Sequence, residues 1–216
     1  MPRIEQVIFD LDGTLVDAFK AVTVSLNYAL REKGYSVLSH ETIKRKVGWG
    51  DRHLVACFVK PNDVDAVLAV YRRHHRTSLT KGVRFLPGAK KLLADLKKRK
   101  YKLAVASNRP TFFSHIILRT LSAKKYFDYV LCADRVKNPK PAPDLLKQIL
   151  KKSALKPSQA LYVGDMTIDA RTGRRAGVKT VIVLTGSSSY RQVAPLKPFK
   201  TIGHLKELTY ILKTLG

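Results

Sequence analysis

Short apolar runs alternate along the chain with amphipathic helical stripes, and this alternation restricts the fold more than any other feature. Gln6-Val7-Ile8-Phe9, Leu103-Ala104-Val105-Ala106, Tyr129-Val130-Leu131-Cys132, Ala160-Leu161-Tyr162-Val163 and Thr180-Val181-Ile182-Val183-Leu184 are each four or five residues long. That length suits a strand buried on both faces and is too short for an ordinary helix. Helical spacing recurs between the runs: Ala89, Leu92, Leu93 and Leu96, then Phe113, Ile116, Ile117 and Leu121, then Leu145, Leu146, Ile149 and Leu150. Leu205, Leu208, Ile211 and Leu212 close the chain in the same way. Such alternation predicts a three-layer α/β core, a parallel sheet covered on both faces by helices.

One long stretch breaks the rhythm. A helix is expected from Asp17, with Val22, Leu26, Ala29 and Leu30 on one face and Gly34 closing it. Helical spacing returns at Leu54 and Phe58, and at Val64, Val67, Leu68 and Tyr71. Almost nothing between residues 17 and 82 reads as a strand. The expected organisation is therefore a core of residues 1–16 and 83–216, interrupted by a helical insert of residues 17–82. A chain of 216 residues is long enough for both units.

The charge is unusual: 41 Lys and Arg against 16 Asp and Glu leave a formal net charge of +25. Basic clusters at Lys44-Arg45-Lys46, Arg72-Arg73, Lys97-Lys98-Arg99-Lys100, Lys151-Lys152 and Arg174-Arg175 are dispersed, mostly where a helix would face water. They read as a solvated surface, or as a field that steers anionic substrates. Nucleic-acid binding is disfavoured, because no aromatic-interleaved basic stripe and no common nucleic-acid-binding motif is present. Cys57 and Cys132 lie far apart in apolar contexts and read as reduced core thiols. No apolar stretch approaches membrane-spanning length. Met1-Pro2-Arg3-Ile4-Glu5 has neither a signal region nor transit-peptide character, so the expected address is the cytoplasm.

In a parallel α/β sheet, ligands collect beyond the carboxyl ends of the strands. The first run stops at Asp10-Leu11-Asp12-Gly13-Thr14, the second at Ser107-Asn108, and the fourth at Gly164-Asp165 with Asp169 following. Lys140 sits after the third, in Asn138-Pro139-Lys140-Pro141-Ala142-Pro143. Taken singly, each has a plainer reading: a strand-end turn, a helix cap, a solvated lysine, an acid at a helix start. Taken together they imply one crevice in which several carboxylates repel one another unless a hard cation intervenes. Mg2+, an oxygen-seeking ion that retains waters, meets that need.

This pattern resembles the haloacid dehalogenase-like hydrolase superfamily over essentially the whole chain. The match rests on Asp10-Leu11-Asp12-Gly13-Thr14-Leu15-Val16-Asp17, Ser107-Asn108, Lys140-Pro141 and Gly164-Asp165 with Asp169, in that order. The resemblance implies a Rossmann-like core, an inserted α-helical cap, and hydrolysis of small phosphate monoesters through a phospho-aspartate on Asp10. It further implies Asp12 as acid and base, and Ser107, Asn108 and Lys140 at the phosphoryl oxygens. Mg2+ would be held by Asp10, the Asp12 backbone carbonyl and Asp165, with Asp169 orienting Lys140 or a metal-bound water. A dehalogenase lacks the second aspartate, so Asp12 favours phosphoryl transfer. Sugar phosphomutases of the superfamily carry a histidine early in the insert, whereas the first histidine here is His40. A pyrophosphatase or a nucleotidase would share the same motifs, and a basic nucleic-acid-associated protein is the rival from another class.

Val47-Gly48-Trp49-Gly50-Asp51-Arg52 is similar to the specificity loop of phosphoglycolate phosphatases, and Ser107-Asn108-Arg109-Pro110 and Lys140-Pro141-Ala142-Pro143-Asp144 fit that branch. In this reading Gly48, Trp49, Arg52 and Arg109 are candidate specificity residues, with Arg52 meeting a substrate carboxylate. The alternative is that Gly48 and Gly50 only turn the chain while Trp49 packs. Met166, where the family favours a small hydroxyl residue, and Thr172-Gly173, in place of an alanine pair, depart from the pattern. An interior helical glycine costs about 1 kcal/mol.

Overall fold

The computed structural model describes residues 3–215; Met1, Pro2 and Gly216, at the outer ends of the expected core segments, lie outside the described residues. The strands are β1 Gln6–Phe9, β2 Val16–Asp17, β3 Arg84–Phe85, β4 Lys102–Ser107, β5 Tyr129–Cys132, β6 Ala160–Gly164, β7 Lys179–Val183 and β8 Lys200–Ile202. The helices are α1 Phe19–Glu32, α2 His40–Lys44, α3 Asp51–Ala56, α4 Val64–Gly82, α5 Ala89–Lys98, α6 Thr111–Thr120, α7 Asp144–Ser153, α8 Thr167–Ala176, α9 Tyr190–Val193 and α10 Leu208–Thr214. Six strands form one parallel sheet in the order β5-β4-β1-β6-β7-β8.

Strand pleat assigns alternate residues to opposite layers. Val7 and Phe9 of β1, Leu103 and Val105 of β4, and Leu161 and Val163 of β6 join the cluster that contains Leu92, Leu93, Phe113, Ile117, Leu208 and Leu212. Their neighbours Ile8, Ala104, Ala106, Ala160 and Tyr162 face Leu145, Leu146, Ile149 and Leu150 of α7. Burial on both faces explains why these strands read as continuous apolar runs rather than alternating ones. The order places β1 between β4 and β6, so the ends carrying Asp10, Ser107 and Asp165 lie side by side.

Helices α1–α4 form the inserted cap, with an apolar cluster of their own that includes Val22, Leu26, Leu30, Ile43, Leu54, Val67, Leu68 and Tyr71. The entry and exit of the cap are tied together by antiparallel pairing of Val16 with Phe85 and Asp17 with Arg84. Asp17 is thus a strand residue rather than a helix start. Its carboxylate accepts from the Phe19 backbone N–H at 3.2 Å and from Arg84 at 2.7 Å.

One other expectation is corrected, and one departure from the family pattern is explained. Cys132 is buried, but Cys57 is exposed at the end of α3, so only one thiol is a core residue; both are free. Gly173 is required where it stands, since a Cβ there would lie 1.7 Å from Thr180 Oγ1. The close approach of α8 to β7 offsets the helix propensity the glycine gives up. The basic pairs Arg72-Arg73, Lys151-Lys152 and Arg174-Arg175 face solvent. Among the described residues no helix is long and apolar enough to cross a membrane.

Candidate active site

Asp10 begins the loop after β1, held by its backbone N–H donating to Val163 O at 2.8 Å. Lys140, only 4% exposed, arrives from the loop after β5 and donates to Asp10 Oδ1 at 2.7 Å, Asp169 Oδ1 at 2.8 Å and the Tyr162 hydroxyl at 3.2 Å. Tyr162 in turn donates to Asp169 Oδ1 at 2.6 Å. The other Asp169 oxygen accepts from the backbone N–H groups of Asp165 and Met166 at 3.2 and 3.0 Å. In this arrangement Asp169 is a buried anchor that fixes both Lys140 and the β6–α8 turn.

Asp165 accepts from Thr14 Oγ1 at 3.1 Å and from the Ser187 backbone N–H at 3.1 Å. Carboxylate oxygens of Asp10, Asp165 and Asp169 lie within 4.8 Å of one another, and all three residues are buried. The cluster sets three acids against one lysine. Burial, with Asp169 adding repulsion against the pull of Lys140, raises the Asp10 carboxyl to about 7. Burial and the neighbouring Asp169 and Asp10 carboxylates push Asp165 well above the usual carboxylate range. Burial disfavours the charge on Lys140, but Asp10 and Asp169 outweigh it and hold the ammonium. Such an excess of carboxylate oxygens fits a hard divalent cation, and Asp10 and Asp165 are the members not already saturated by the lysine–tyrosine network.

Asp12 is engaged differently. Arg109 Nε and Nη2 donate to its two oxygens at 2.7 and 2.8 Å, a bidentate fork. Burial opposes the arginine charge, yet Asp12 more than offsets it and raises the guanidinium further. The third donor, Arg109 Nη1, lies 2.8 Å from His75 Nε2 in the cap. Ser107 Oγ accepts from the Arg109 backbone N–H at 3.2 Å, turning the chain after β4. The Asn108 side chain is committed to the scaffold: its oxygen accepts from Lys140 N at 2.9 Å, and its nitrogen donates to Lys140 O and Gly48 O. The Asn108 side chain is thus already taken, which leaves its backbone N–H as the group that could meet a ligand.

These groups line a partly open cavity of about 50 Å³ between the strand ends and the cap. Asp10, Asp12, Ser107, Asn108, Arg109, Lys140 and Asp165 all face it. From the cap side come Phe19, Val22, Val47, Gly48, Leu54 and Tyr71. Gly48 has φ +114°, and a Cβ there would lie 2.2 Å from Met166 Sδ, so the glycine lets the cap loop rest on the core. Met166, which sequence reasoning treated only as a departure, is therefore a wall of the site.

Two candidates lie elsewhere. Arg52 forks onto Asp65 on an exposed face of the cap, and Trp49 is 38% exposed beside His53; neither lines the cavity. Arg52 is the second residue of α3 and its guanidinium is taken by Asp65 of α4, so its place in the loop sequence gave no guide to its direction. Thr14, Tyr162 and His75 were not anticipated. Thr14 belongs to the quoted motif, but Tyr162 is hidden in an apolar run and His75 in the polar segment Arg72-Arg73-His74-His75-Arg76.

The family model for haloacid dehalogenase-like hydrolases matches residues 7–183, spanning every site element from Asp10 to Asp169. The chain belongs to this family. A phosphoglycolate phosphatase of Aquifex aeolicus is 32% identical over 83% of this chain and 84% of its own length. An N-acetylmuramic acid 6-phosphate phosphatase of Pseudomonas putida is 30% identical over 85% and 84%. The crystal structure of a predicted phosphoglycolate phosphatase from Haemophilus somnus superposes with a TM-score of 0.91 at 26% identity, covering 98% of this chain and 99% of that one.

Proposed function

We propose that this hydrolase is a Mg2+-dependent phosphatase that cleaves small, carboxylate-bearing phosphate monoesters through a phospho-aspartate on Asp10. The observation that carries the reading is the convergence of Asp10, Lys140 and Asp165 on one cavity beside Asp12. The relatives named above act on phosphoglycolate and N-acetylmuramic acid 6-phosphate, both phosphate esters of hydroxy acids. Residues 17–82 serve as the cap that encloses the ester and excludes water.

Asp10, Asp165 and the Asp12 backbone carbonyl would hold Mg2+, which when bound supplies charge neutralisation between nucleophile and phosphoryl oxygens. The chain's own groups account for the rest. An Asp10 oxygen attacks phosphorus, the bond from phosphorus to the ester oxygen breaks, and Asp12 gives that oxygen a proton. Water then attacks the phosphorus, Asp12 takes the water proton, and the Asp10 carboxylate leaves. Lys140 stays protonated and offsets charge on Asp10 and the phosphoryl group. Ser107 and the loop N–H groups hold phosphoryl oxygens in place.

The test is phosphate release from phosphoglycolate and from an aryl phosphate, with Mg2+ and with EDTA. Release that needs Mg2+ and is lost in Asp10→Asn supports the reading. Release that persists in EDTA, or in the variant without deamidation, contradicts it.

A further inference from the structure

His75 is fully buried, yet it belongs to the cap and touches the catalytic loop through Arg109. Its ring stacks on Tyr71, with centroids 4.8 Å apart, and meets the edge of Phe113 at 5.1 Å. A guanidinium offers only donors, so His75 Nε2 must accept from Arg109 Nη1. The ring proton therefore sits on Nδ1, 3.1 Å from Ser25 Oγ. Ser25 has its own proton to place and donates it to Ala21 O at 2.8 Å. Arg109 on one side fixes the tautomer, Ser25 Oγ also has His74 Nδ1 as a neighbour at 3.3 Å, and a second ring proton on His75 would point at an arginine N–H. Burial first, and the Arg109 charge next, lower this imidazole to about 2, in agreement with that geometry.

The relay leaves one edge of Arg109, Nε and Nη2, turned to a carboxylate, now that of Asp12. Among the described residues the cavity has two cations, Arg109 and Lys140, and Lys140 is already shared by Asp10 and Asp169. Arg72 pairs with Asp51 and Arg52 with Asp65. A second anionic group on a bound ester thus has one fork to meet. A substrate carboxylate is chemically the same partner as Asp12, so it can replace Asp12 on that edge by an exchange of hydrogen bonds, with no covalent change.

We propose that His75 is a positioning residue that presents the Arg109 fork to the substrate, and that a carboxylate-bearing phosphate ester frees Asp12 for proton transfer by taking its place there. The inference rests on the phosphatase reading and adds to it a basis for substrate selection. The test compares phosphoglycolate with ethyl phosphate, which has the same backbone length without the carboxylate, using the Mg2+-loaded enzyme.

The wild type should prefer phosphoglycolate in kcat/KM, and His75→Leu should cut that preference roughly tenfold to hundredfold, the range for a lost hydrogen bond to a charged group. The loss should divide between a higher KM and a lower kcat for phosphoglycolate, because both capture and the release of Asp12 are affected. His75→Gln, whose side-chain oxygen can still accept from Arg109, should recover most of the preference. Equal losses on the two esters in His75→Leu, or no recovery in His75→Gln, would overturn the proposal. Should His75→Leu fail to fold, Arg109→Lys carries the same comparison, since it keeps the charge but removes the fork; an unchanged ester ratio there also overturns it. Turnover of neither ester by the wild type would instead bring down the phosphatase reading itself, whereas turnover of both without preference defeats only this inference.

Discussion

Replacing Lys140 by methionine should destabilise the fold, and by an amount that depends on pH in a specified direction. Lys140 is 4% exposed, and its ammonium holds Asp10 at 2.7 Å and Asp169 at 2.8 Å. Methionine fills much of the same volume but leaves two buried carboxylates without their counter-charge. Breaking a buried ion pair by removing one partner costs about 3–5 kcal/mol. The carboxylates limit this by binding protons. In the wild type Asp10 already titrates near 7, above its ordinary value of 3.8, so the folded state holds a proton that the unfolded chain has lost between those limits. That contribution is present below pH 4 and is lost as pH rises through 7. Without Lys140 the folded Asp10 pKa moves higher, so Asp10 goes on costing the variant stability above pH 7, where its own contribution in the wild type levels off. The gap should widen by up to about 1.4 kcal/mol per pH unit for one such carboxylate. Urea unfolding in EDTA at pH 7 and pH 8, followed by circular dichroism, measures it. A penalty below about 1 kcal/mol, or one that shrinks as pH rises, would refute the reasoning.

Three further outcomes are expected. Mg2+ at a concentration a hundredfold above its dissociation constant at pH 8 should raise Tm there by roughly 5–10 °C relative to EDTA, and the same concentration should raise it less at pH 6, because the protons raised onto Asp10 and Asp165 compete with the ion; thermal melts at the two pH values check this. Asp12→Ala should lower kcat by about 10²–10⁴ for alkyl phosphates and far less for an aryl phosphate, whose leaving group needs no proton, as steady-state kinetics on paired esters would show. If the +25 charge steers substrate, kcat/KM for phosphoglycolate should fall with added salt more than kcat does, and more than for a singly esterified aryl phosphate. A flat kcat/KM between low and physiological salt would remove steering from the account.

The strand ends were legible in the sequence because a strand buried on both faces leaves an uninterrupted apolar run, and the abrupt change to Asp10, Ser107 or Asp165 marks its carboxyl end. Strands β2 and β3 were not legible: two residues each are too short to show any period. Strand β8, Lys200-Thr201-Ile202, lies at the sheet edge and has one apolar residue, so it resembles a loop. Side-chain direction was the other gap. Arg52 and Arg109 both stand in motif-like loops, but the first is turned to Asp65 by the start of α3, while the second is drawn inward by Asp12 and His75. Tyr162 escaped notice because, in a strand, an aromatic residue reads as core, and its hydroxyl partner Asp169 is seven residues away on the next helix.

The covalent role of Asp10 is the central claim, and trapping the intermediate tests it most directly. The Mg2+-loaded enzyme would be mixed with excess ester, quenched during turnover and reduced with borohydride, which converts an aspartyl phosphate to homoserine. Peptide mass mapping should then find homoserine at position 10 and unmodified aspartate at positions 12, 165 and 169. An active enzyme that yields no homoserine at position 10, or yields it at another aspartate, would contradict the account.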